Sequence, residues 1–365
     1  MSKVGIGIIG TGVGLRTLLP GFRLLENAEV IAISGSSPER SKYFASKNEI
    51  PVACPDYHSL CKRDDIDLVC VTTPNSFHFE HTLVALEHGK NVLCEKPFTL
   101  SENEMEMLIA KKNASGKFGL VDHQLRFNPY LLKIRELLKS NTIGRPYFVR
   151  IHQQSTGFAD DKARWTWSFD SEQGGGVRYA MCSHLADLLH FWFGSSFHNL
   201  TAVLNPVFQE RIDSNGNLRE ILASTFCNVH LELENDISVS LSITAGAFSK
   251  PRFDVSIYGD KGELQFDLDN KLSLFTNSTK NLGALVNCSE LFQDEKNNKI
   301  SIFTSSFRYF APKIVEAIAY SDATKIENAS TFEDARYTFR LLDAVGTAAN
   351  QGGLVNLKKK QSTYI

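Results

Sequence analysis

Three short segments hold residues whose types and spacing point to chemistry. The first is Gly10-Thr11-Gly12-Val13-Gly14, directly after the apolar run Val4–Ile9. A glycine that ends a strand allows a tight turn, and a second lets the backbone approach a pyrophosphate. The helix that follows points its positive N-terminus at that ligand. In this register Gly10 makes the turn and Gly12 faces the pyrophosphate, while Leu15 fills the usual slot of the third glycine and Gly14 stands one place before it. The overlapping Gly5-Ile-Gly7-Ile-Ile-Gly10 has the literal spacing, but only Met1–Val4 precede it, too few for the strand that the fingerprint must follow. A plain strand–helix turn also favours glycine. Placement in the first strand–helix unit is what favours a dinucleotide site.

The second segment is Ile33-Ser34-Gly35-Ser36-Ser37-Pro38-Glu39-Arg40. A site for NAD places a carboxylate here to bind the ribose 2′-hydroxyl. No acid stands at 34–37; Ser36, Ser37 and Arg40 suit a 2′-phosphate instead, so NADP is the expected cofactor with NAD as the alternative. The same serines suit a second task, capping a helix that Pro38 begins. The third segment is a pair of strand ends, Thr72-Thr73-Pro74-Asn75-Ser76-Phe77-His78 and Cys94-Glu95-Lys96-Pro97. Open α/β sheets bind ligands at the carboxyl ends of their strands. Thr73, Pro74, Asn75, His78, Glu95 and Lys96 are therefore expected at the cofactor, and Lys96 at the cofactor or substrate.

These segments need a scaffold, and the first 122 residues supply its pattern. Val4–Ile9, Val30–Ser34, Asp67–Val71, Asn91–Cys94 and Phe118–Val121 read as buried strands; stretches at about 15–26, 38–48, 76–88 and 101–115 read as amphipathic helices. Such alternation predicts a doubly wound parallel sheet. Beyond residue 122 the texture changes. A helix is expected near Asn128–Ser140, a strand at Arg145–Ser155, a loop to Gly176, and a helix over Ser183–Phe193. Runs at Leu200–Val207, Ala223–Leu233, Ile237–Ala245, Arg252–Tyr258, Glu263–Asp267 and Lys271–Thr276 follow without intervening helices, which predicts a large, mostly antiparallel sheet. Helices at about 305–321 and 332–348 close the chain. The expected domains are 1–122, binding the dinucleotide, and 123–365, binding substrate and forming oligomers.

The sequence resembles the glucose–fructose oxidoreductase, inositol dehydrogenase and MocA family over essentially its whole length. The resemblance is carried by Gly10-Thr-Gly12, by Glu95-Lys96-Pro97 and by Gly174-Gly-Gly176-Val-Arg-Tyr-Ala-Met-Cys-Ser-His184-Leu-Ala-Asp187, with support from Thr73-Pro74-Asn75, His78 and His123-Gln-Leu-Arg126-Phe-Asn128-Pro129. It implies an N-terminal Rossmann domain, a C-terminal α/β domain with an open sheet, and NAD(P)-linked oxidation or reduction of a sugar, nucleotide sugar or cyclitol. It also implies that Lys96 and His184 act at the reacting carbon. A histidine suits proton exchange near neutral pH and a lysine cation suits a developing alkoxide. Many relatives carry an aspartate four residues before that histidine; here the position is Ala180, and Cys182 replaces a usual glycine. The glucose–fructose oxidoreductase domain-containing subgroup likewise has alanine there. Arg126, Asn128, Arg164, Trp165, Trp167 and Asp187 are candidate substrate residues. His184 could instead serve only as a helix cap, and Trp and Arg also suit domain packing. The rival to an enzyme is a regulatory or scaffold protein that binds dinucleotide without turnover.

Bulk properties narrow the classes further. Lys and Arg number 39 against 41 Asp and Glu, a net charge of −2, so the chain lacks the basic footprint of a nucleic-acid binder. No apolar run approaches the ~20 residues of a membrane span, and the N-terminus leads straight into a strand pattern. Seven cysteines (54, 61, 70, 94, 182, 227, 288) include no CxxC pair, which predicts reduced thiols in a cytoplasmic protein. No metal is expected. Lys358-Lys359-Lys360 reads as a solvated tail. A strand-rich region with few helices to cover it predicts a homodimer or homotetramer built on the uncovered sheet face.

Overall fold

The computed structural model describes residues 3–160, 162–279, 283–286 and 301–356. Cys288 and the lysine run 358–360 lie outside them. The chain divides into two compact units, Met1–Asn128 with Lys296–Arg336, and Pro129–Glu295 with Tyr337–Ile365. The first continuous stretch thus ends six residues beyond the expected boundary, and a late segment returns to join it.

The first unit is built on β1 (Val4–Ile9), β2 (Ala28–Ser34), β3 (Val52–Cys54), β4 (Leu68–Val71), β5 (Asn91–Cys94) and β6 (Gly119–Val121), with β17 (Ser330–Thr331) at one edge. The order is β17-β6-β5-β4-β1-β2-β3. All neighbours are parallel except β17, which runs antiparallel to β6. Every residue of β1, β4, β5 and β6 is buried. Strands covered on both faces have no polar face to alternate with, hence the continuous apolar runs. The strand order reverses beside β1, placing a crevice where the β1 and β4 chains leave in opposite directions.

The helices of this unit begin where local chemistry dictates. Ser37 and Ser101 cap α2 (Pro38–Lys47) and α5 (Glu102–Ser115), accepting hydrogen bonds from the amides of Arg40 and Glu104. The expected helix at 15–26 is shorter and irregular: a π-helical turn over Gly14–Leu18 leads into α1 (Leu19–Phe22). Pro20 has no N–H to give, so the regular ladder cannot continue through it, and the Leu19 amide bonds the Gly14 carbonyl instead. The core is completed from the far end of the chain. In α9 (Ile302–Tyr320), Phe307 meets Phe22 edge-on at 5.2 Å and Phe310 stacks on Phe127 at 4.3 Å. Phe307 and Phe310 are fully buried in one cluster with Ile6, Leu18 and Leu120.

The second unit holds a nine-stranded sheet ordered β16-β15-β14-β13-β7-β12-β11-β8-β18. Its members are β7 (Pro146–Gln154), β8 (Phe197–Asn205), β11 (Phe226–Leu233), β12 (Ser238–Thr244), β13 (Arg252–Gly259), β14 (Gly262–Asp267), β15 (Lys271–Thr276), β16 (Ala284–Leu285) and β18 (Val355–Asn356). Only β7 and β12 pair in parallel. Alternation is strict in β11, where Cys227, Val229, Leu231 and Leu233 are buried and Asn228, His230 and Glu232 exposed. The outer face is polar: His230 lies between Thr201 and Ser240, and Ser240 beside Arg150. A separate hairpin, β9 (Glu210–Ile212) with β10 (Leu218–Glu220), was not visible in the sequence pattern. The six described cysteines are buried free thiols.

Candidate active site

The turn after β1 is tight enough to require glycine at two positions. Gly10 has φ of +111°, and a Cβ there would stand 2.5 Å from the Thr72 carbonyl oxygen. A Cβ on Gly14 would meet both Ile8 Cγ2 and Thr72 Oγ1 at 2.6 Å, so Gly14 is the glycine that lets the helical turn pack on the strand. A Cβ on Gly12 would meet no atom within 4 Å. Steric need therefore explains 10 and 14 but not 12, where a Cβ would face open space. The turn is pinned by Thr72, whose buried hydroxyl donates to the Ile9 carbonyl at 2.9 Å.

At the end of β2, Ser37 accepts from the Arg40 amide at 3.2 Å, and the Gly35 amide donates to Ser41 Oγ at 2.8 Å. The Arg40 guanidinium reaches back to Thr11 Oγ1 at 3.4 Å and lies 5.3 Å from the Phe44 ring centre. Ser36 is exposed beside it. Glu39 turns its carboxylate to its own amide and to Ser37, which holds its pKa down. Ser37 thus has structural duties, whereas Ser36 and Arg40 are exposed.

The ends of β4 and β5 are tied together through His78, the first residue of α4 (His78–Glu87). Its Nδ1 lies 2.8 Å from the Pro97 carbonyl and its Nε2 3.1 Å from the Thr73 carbonyl. Burial lowers its pKa from 6.5 to about 4, so the neutral ring donates to one carbonyl at a time. His81, one turn on, bonds Thr73 Oγ1 at 3.1 Å and is held to about 4 by the same cause. His78 is therefore a tether for the Lys96–Pro97 segment. Asn75 is buried at the start of a single 3-10 turn, Asn75–Phe77, just before α4.

Lys96 is half-buried at the carboxyl end of β5. The surrounding protein lowers its pKa by desolvation, and the charges of Glu95 and Asp122 oppose that shift. Asp122 was not singled out in the sequence. It is fully buried one residue past β6, and the signal was an acid closing an otherwise apolar strand. Arg126 Nη1 donates to the Ala329 carbonyl and to Asp334, each at 3.2 Å. His123 Nδ1 meets Ser330 Oγ at 3.0 Å, so the 123–128 segment grips the returning chain. Asn128 is buried at its end.

In the second unit the triple-glycine segment folds against two stretches of backbone. The Gly175 amide donates to the Asp170 carbonyl at 2.8 Å and the Gly176 amide to the Ser168 carbonyl at 3.0 Å. A Cβ on Gly175 would stand 2.5 Å from the latter oxygen, and Gly176 has φ of +88°. This turn aims α7 (Val177–Ala180) and then α8 (Cys182–Phe193). His184 and Asp187 are both buried one turn apart on α8, and Ala180 is exposed at the end of α7. Cys182 packs on Cys227 of β11, whose thiol is pushed up by that contact and by burial. Arg164 and Trp165 lie against the β9–β10 hairpin: Arg164 donates to the Asp213 carbonyl at 2.8 Å and Trp165 Nε1 to the Glu220 carbonyl at 3.0 Å. Arg219 covers the Trp165 ring at 3.9 Å. Trp167 is half-buried in the turn Trp167–Phe169.

Two family profiles cover the chain. Residues 4–123 match an oxidoreductase family described as an NAD-binding Rossmann fold, and residues 135–357 match its C-terminal alpha/beta domain. The chain belongs to the Gfo/Idh/MocA oxidoreductase family. An uncharacterized oxidoreductase of Synechocystis is 28% identical over 73% of this chain and 72% of its own length. Mouse glucose-fructose oxidoreductase domain-containing protein 1 is 22% identical over 97% of this chain and 92% of its own. Levoglucosan dehydrogenase in complex with NADH and L-sorbose superposes with a TM-score of 0.84 at 20% identity, covering 98% of this chain and 99% of that one. The yeast super-repressor mutant of Gal80p superposes with 0.80 at 17% identity, covering 98% of each. At these identities the structural likenesses establish the fold.

Within this Gfo/Idh/MocA chain no group of three or more His, Cys, Asp or Glu among the described residues is placed to hold a metal ion. Among the same residues no helix is long and apolar enough to cross a membrane.

The buried histidines generate a pH dependence. A folded-state pKa near 4, below the ordinary 6.5, means that the folded protein binds fewer protons than the unfolded chain. Stability is then full above about pH 6.5 and falls as the pH drops toward 4, by about 2 kcal/mol for each ring at about pH 5. Urea denaturation at neutral pH and at about pH 5 should show the loss. His78→Asn, which keeps a donor but does not titrate, should reduce the slope; an unchanged slope would remove His78 from the account.

Proposed function

We propose that the chain is an NADP-preferring dehydrogenase or reductase acting on a hydroxyl or ketone of a sugar, nucleotide sugar or cyclitol. The observation that carries this is the open face of Gly12 in a turn whose other glycines are explained by packing. The bound dinucleotide would accept or give the hydride. The Gly10–Gly14 backbone would hold its pyrophosphate, and Ser36 with Arg40 its 2′-phosphate. Thr73, Pro74, Asn75 and Glu95 would line the nicotinamide half, with His78 fixing the segment they belong to.

Lys96 would donate from its ammonium to the reacting oxygen, stabilising negative charge as it grows there. His184 would take the hydroxyl proton during oxidation and return it during reduction. With alanine at 180, Asp187 on the same helix is the carboxylate nearest in sequence to orient His184. Asn128 and Trp167 remain candidates for substrate contact, whereas the bonds of Arg126, Arg164 and Trp165 favour structural roles.

The second reading is a regulatory protein that binds dinucleotide without turnover. Ala180 favours it, and so does the shared fold with Gal80p. Incubating the protein with NADPH and a panel of keto-sugars separates the two, since only an enzyme oxidises the cofactor. Given a turned-over substrate, His184→Ala and Lys96→Ala should each lower kcat about 10²–10⁴-fold while NADPH still binds. A loss within about threefold for His184→Ala would assign the proton to water or Lys96.

Cofactor choice is tested by calorimetry. A charge-assisted contact contributes about 1.5–3 kcal/mol, so NADPH should bind roughly ten- to a hundredfold more tightly than NADH, and Arg40→Ala should shrink the ratio. Equal or tighter NADH binding would overturn the preference. Self-association through the polar outer face of the second sheet completes the proposal. Light scattering should give a dimer or tetramer, and Arg150→Glu on that face should weaken it; a monomer at micromolar concentration would refute it.

A further inference from the structure

Beside Lys96 lies a pair of acids whose protons the proposed reaction does not use. β5 and β6 run parallel with Cys94 opposite Val121, so the next residue of each strand, Glu95 and Asp122, also stand side by side. The backbone fixes them there: the Asp122 amide donates to the Cys94 carbonyl at 2.7 Å and the Glu95 amide to the Val71 carbonyl at 2.9 Å. Asp122 is 0% exposed and Glu95 7%. Glu95 Oε2 accepts from the Lys96 amide at 3.3 Å. Among the described residues no protein N–H or hydroxyl reaches Glu95 Oε1 or either oxygen of Asp122. The register sets each carboxyl beside the other, and each disturbs the other's ionisation.

Two carboxylates side by side out of water repel, and among the described residues a single donor, the Lys96 amide, serves the four oxygens, fewer than two buried anions require. A proton between them converts the repulsion into an O–H···O hydrogen bond and satisfies the orphaned oxygens. We propose that Glu95 and Asp122 share one proton across the ends of β5 and β6, and that the single negative charge left on the pair is the counter-charge of the Lys96 ammonium. Asp122 is then a positioning residue. It holds Glu95 in place, and with it the charge that keeps Lys96 protonated against desolvation. The ensemble of three groups is electrically neutral. Burial pushes both acids up, Asp122 well above the usual carboxylate range. The other titratable groups around the pair are His123, bonded to Ser330, the thiols of Cys70 and Cys94, which burial keeps protonated, and His78 near Lys96.

The role given to Lys96 rests on the reading of the chain as an oxidoreductase; the shared proton does not. Infrared spectroscopy of the intact protein at neutral pH tests the proton directly. A protonated-carboxyl stretching band is expected in the wild type. It should shift when either aspartate or glutamate carboxyls are carbon-13 labelled. It should vanish in Asp122→Asn and in Glu95→Gln, because either change leaves one carboxylate facing an amide donor. Absence of the band in the wild type, or its survival in Asp122→Asn, would overturn the shared proton, and the labelled wild type decides even where a variant fails to fold.

The counter-charge is tested by the pH profile of kcat/KM for ketone reduction. Either single variant keeps one negative charge, so the alkaline limb should move by less than about half a pH unit. The double variant Glu95→Gln/Asp122→Asn keeps none, and the limb should move to lower pH by roughly one unit or more. Equal shifts in single and double variants would remove the counter-charge role. Failure to find any turnover would refute the oxidoreductase reading while leaving the infrared result standing.

Discussion

The first unit depends on a place where two strands and a helix come closer than side chains allow. At the ends of β1 and β4, the Gly10 and Gly14 backbones stand against Thr72 with no room for a Cβ. That closeness lets the helical turn begin at the mouth of the sheet, with its first amides facing outward. It also places the ends of β4 and β5 next to the same mouth, where Asn75, His78 and Lys96 emerge. A methyl group at either glycine would push the turn away from Thr72 and uncouple all of these together.

Charge is managed at this mouth in a way that differs from the surface. Arg40 and Glu39 are solvated, and water screens whatever they meet. Lys96, Glu95 and Asp122 have little water to share, so each must be balanced by its neighbours. His78 achieves the same end by staying neutral and donating a hydrogen bond to a carbonyl. The site is thus assembled from groups whose ionisation is decided by burial and contact.

Much of this was legible beforehand. β1, β5 and the sheet of the second unit followed from apolar runs and alternation, and the 10–14 turn from its glycines. Short pieces were not legible. β3 and β17 span three and two residues, and β9 and β10 carry exposed residues in a hairpin that packs beside Trp165. Arg126 shows a different limit. A lone arginine after a strand has the chemistry for substrate or for a carboxylate, and the partner that decides, Asp334, lies 208 residues further along. Asp122 escaped because its meaning lies in register: only the pairing of β5 with β6 puts it beside Glu95.

The return of the chain at 296–336 bears on the order of synthesis. Residues 1–128 leave the ribosome long before α9 and β17 exist, so the hydrophobic face that Phe307 and Phe310 later cover, including Phe22 and Phe127, is bare while the whole of 129–295 is made. Domains generally fold as they emerge, N-terminal part first, and exposed apolar surface invites misassociation in the interval. The closing piece of the first core is thus made after residues 129–295. The helical turn Gly14–Leu18, which follows β1, gains its packing against α9 only once residues 302–320 have been made. An interrupted product therefore carries the fingerprint residues without the body that shapes them.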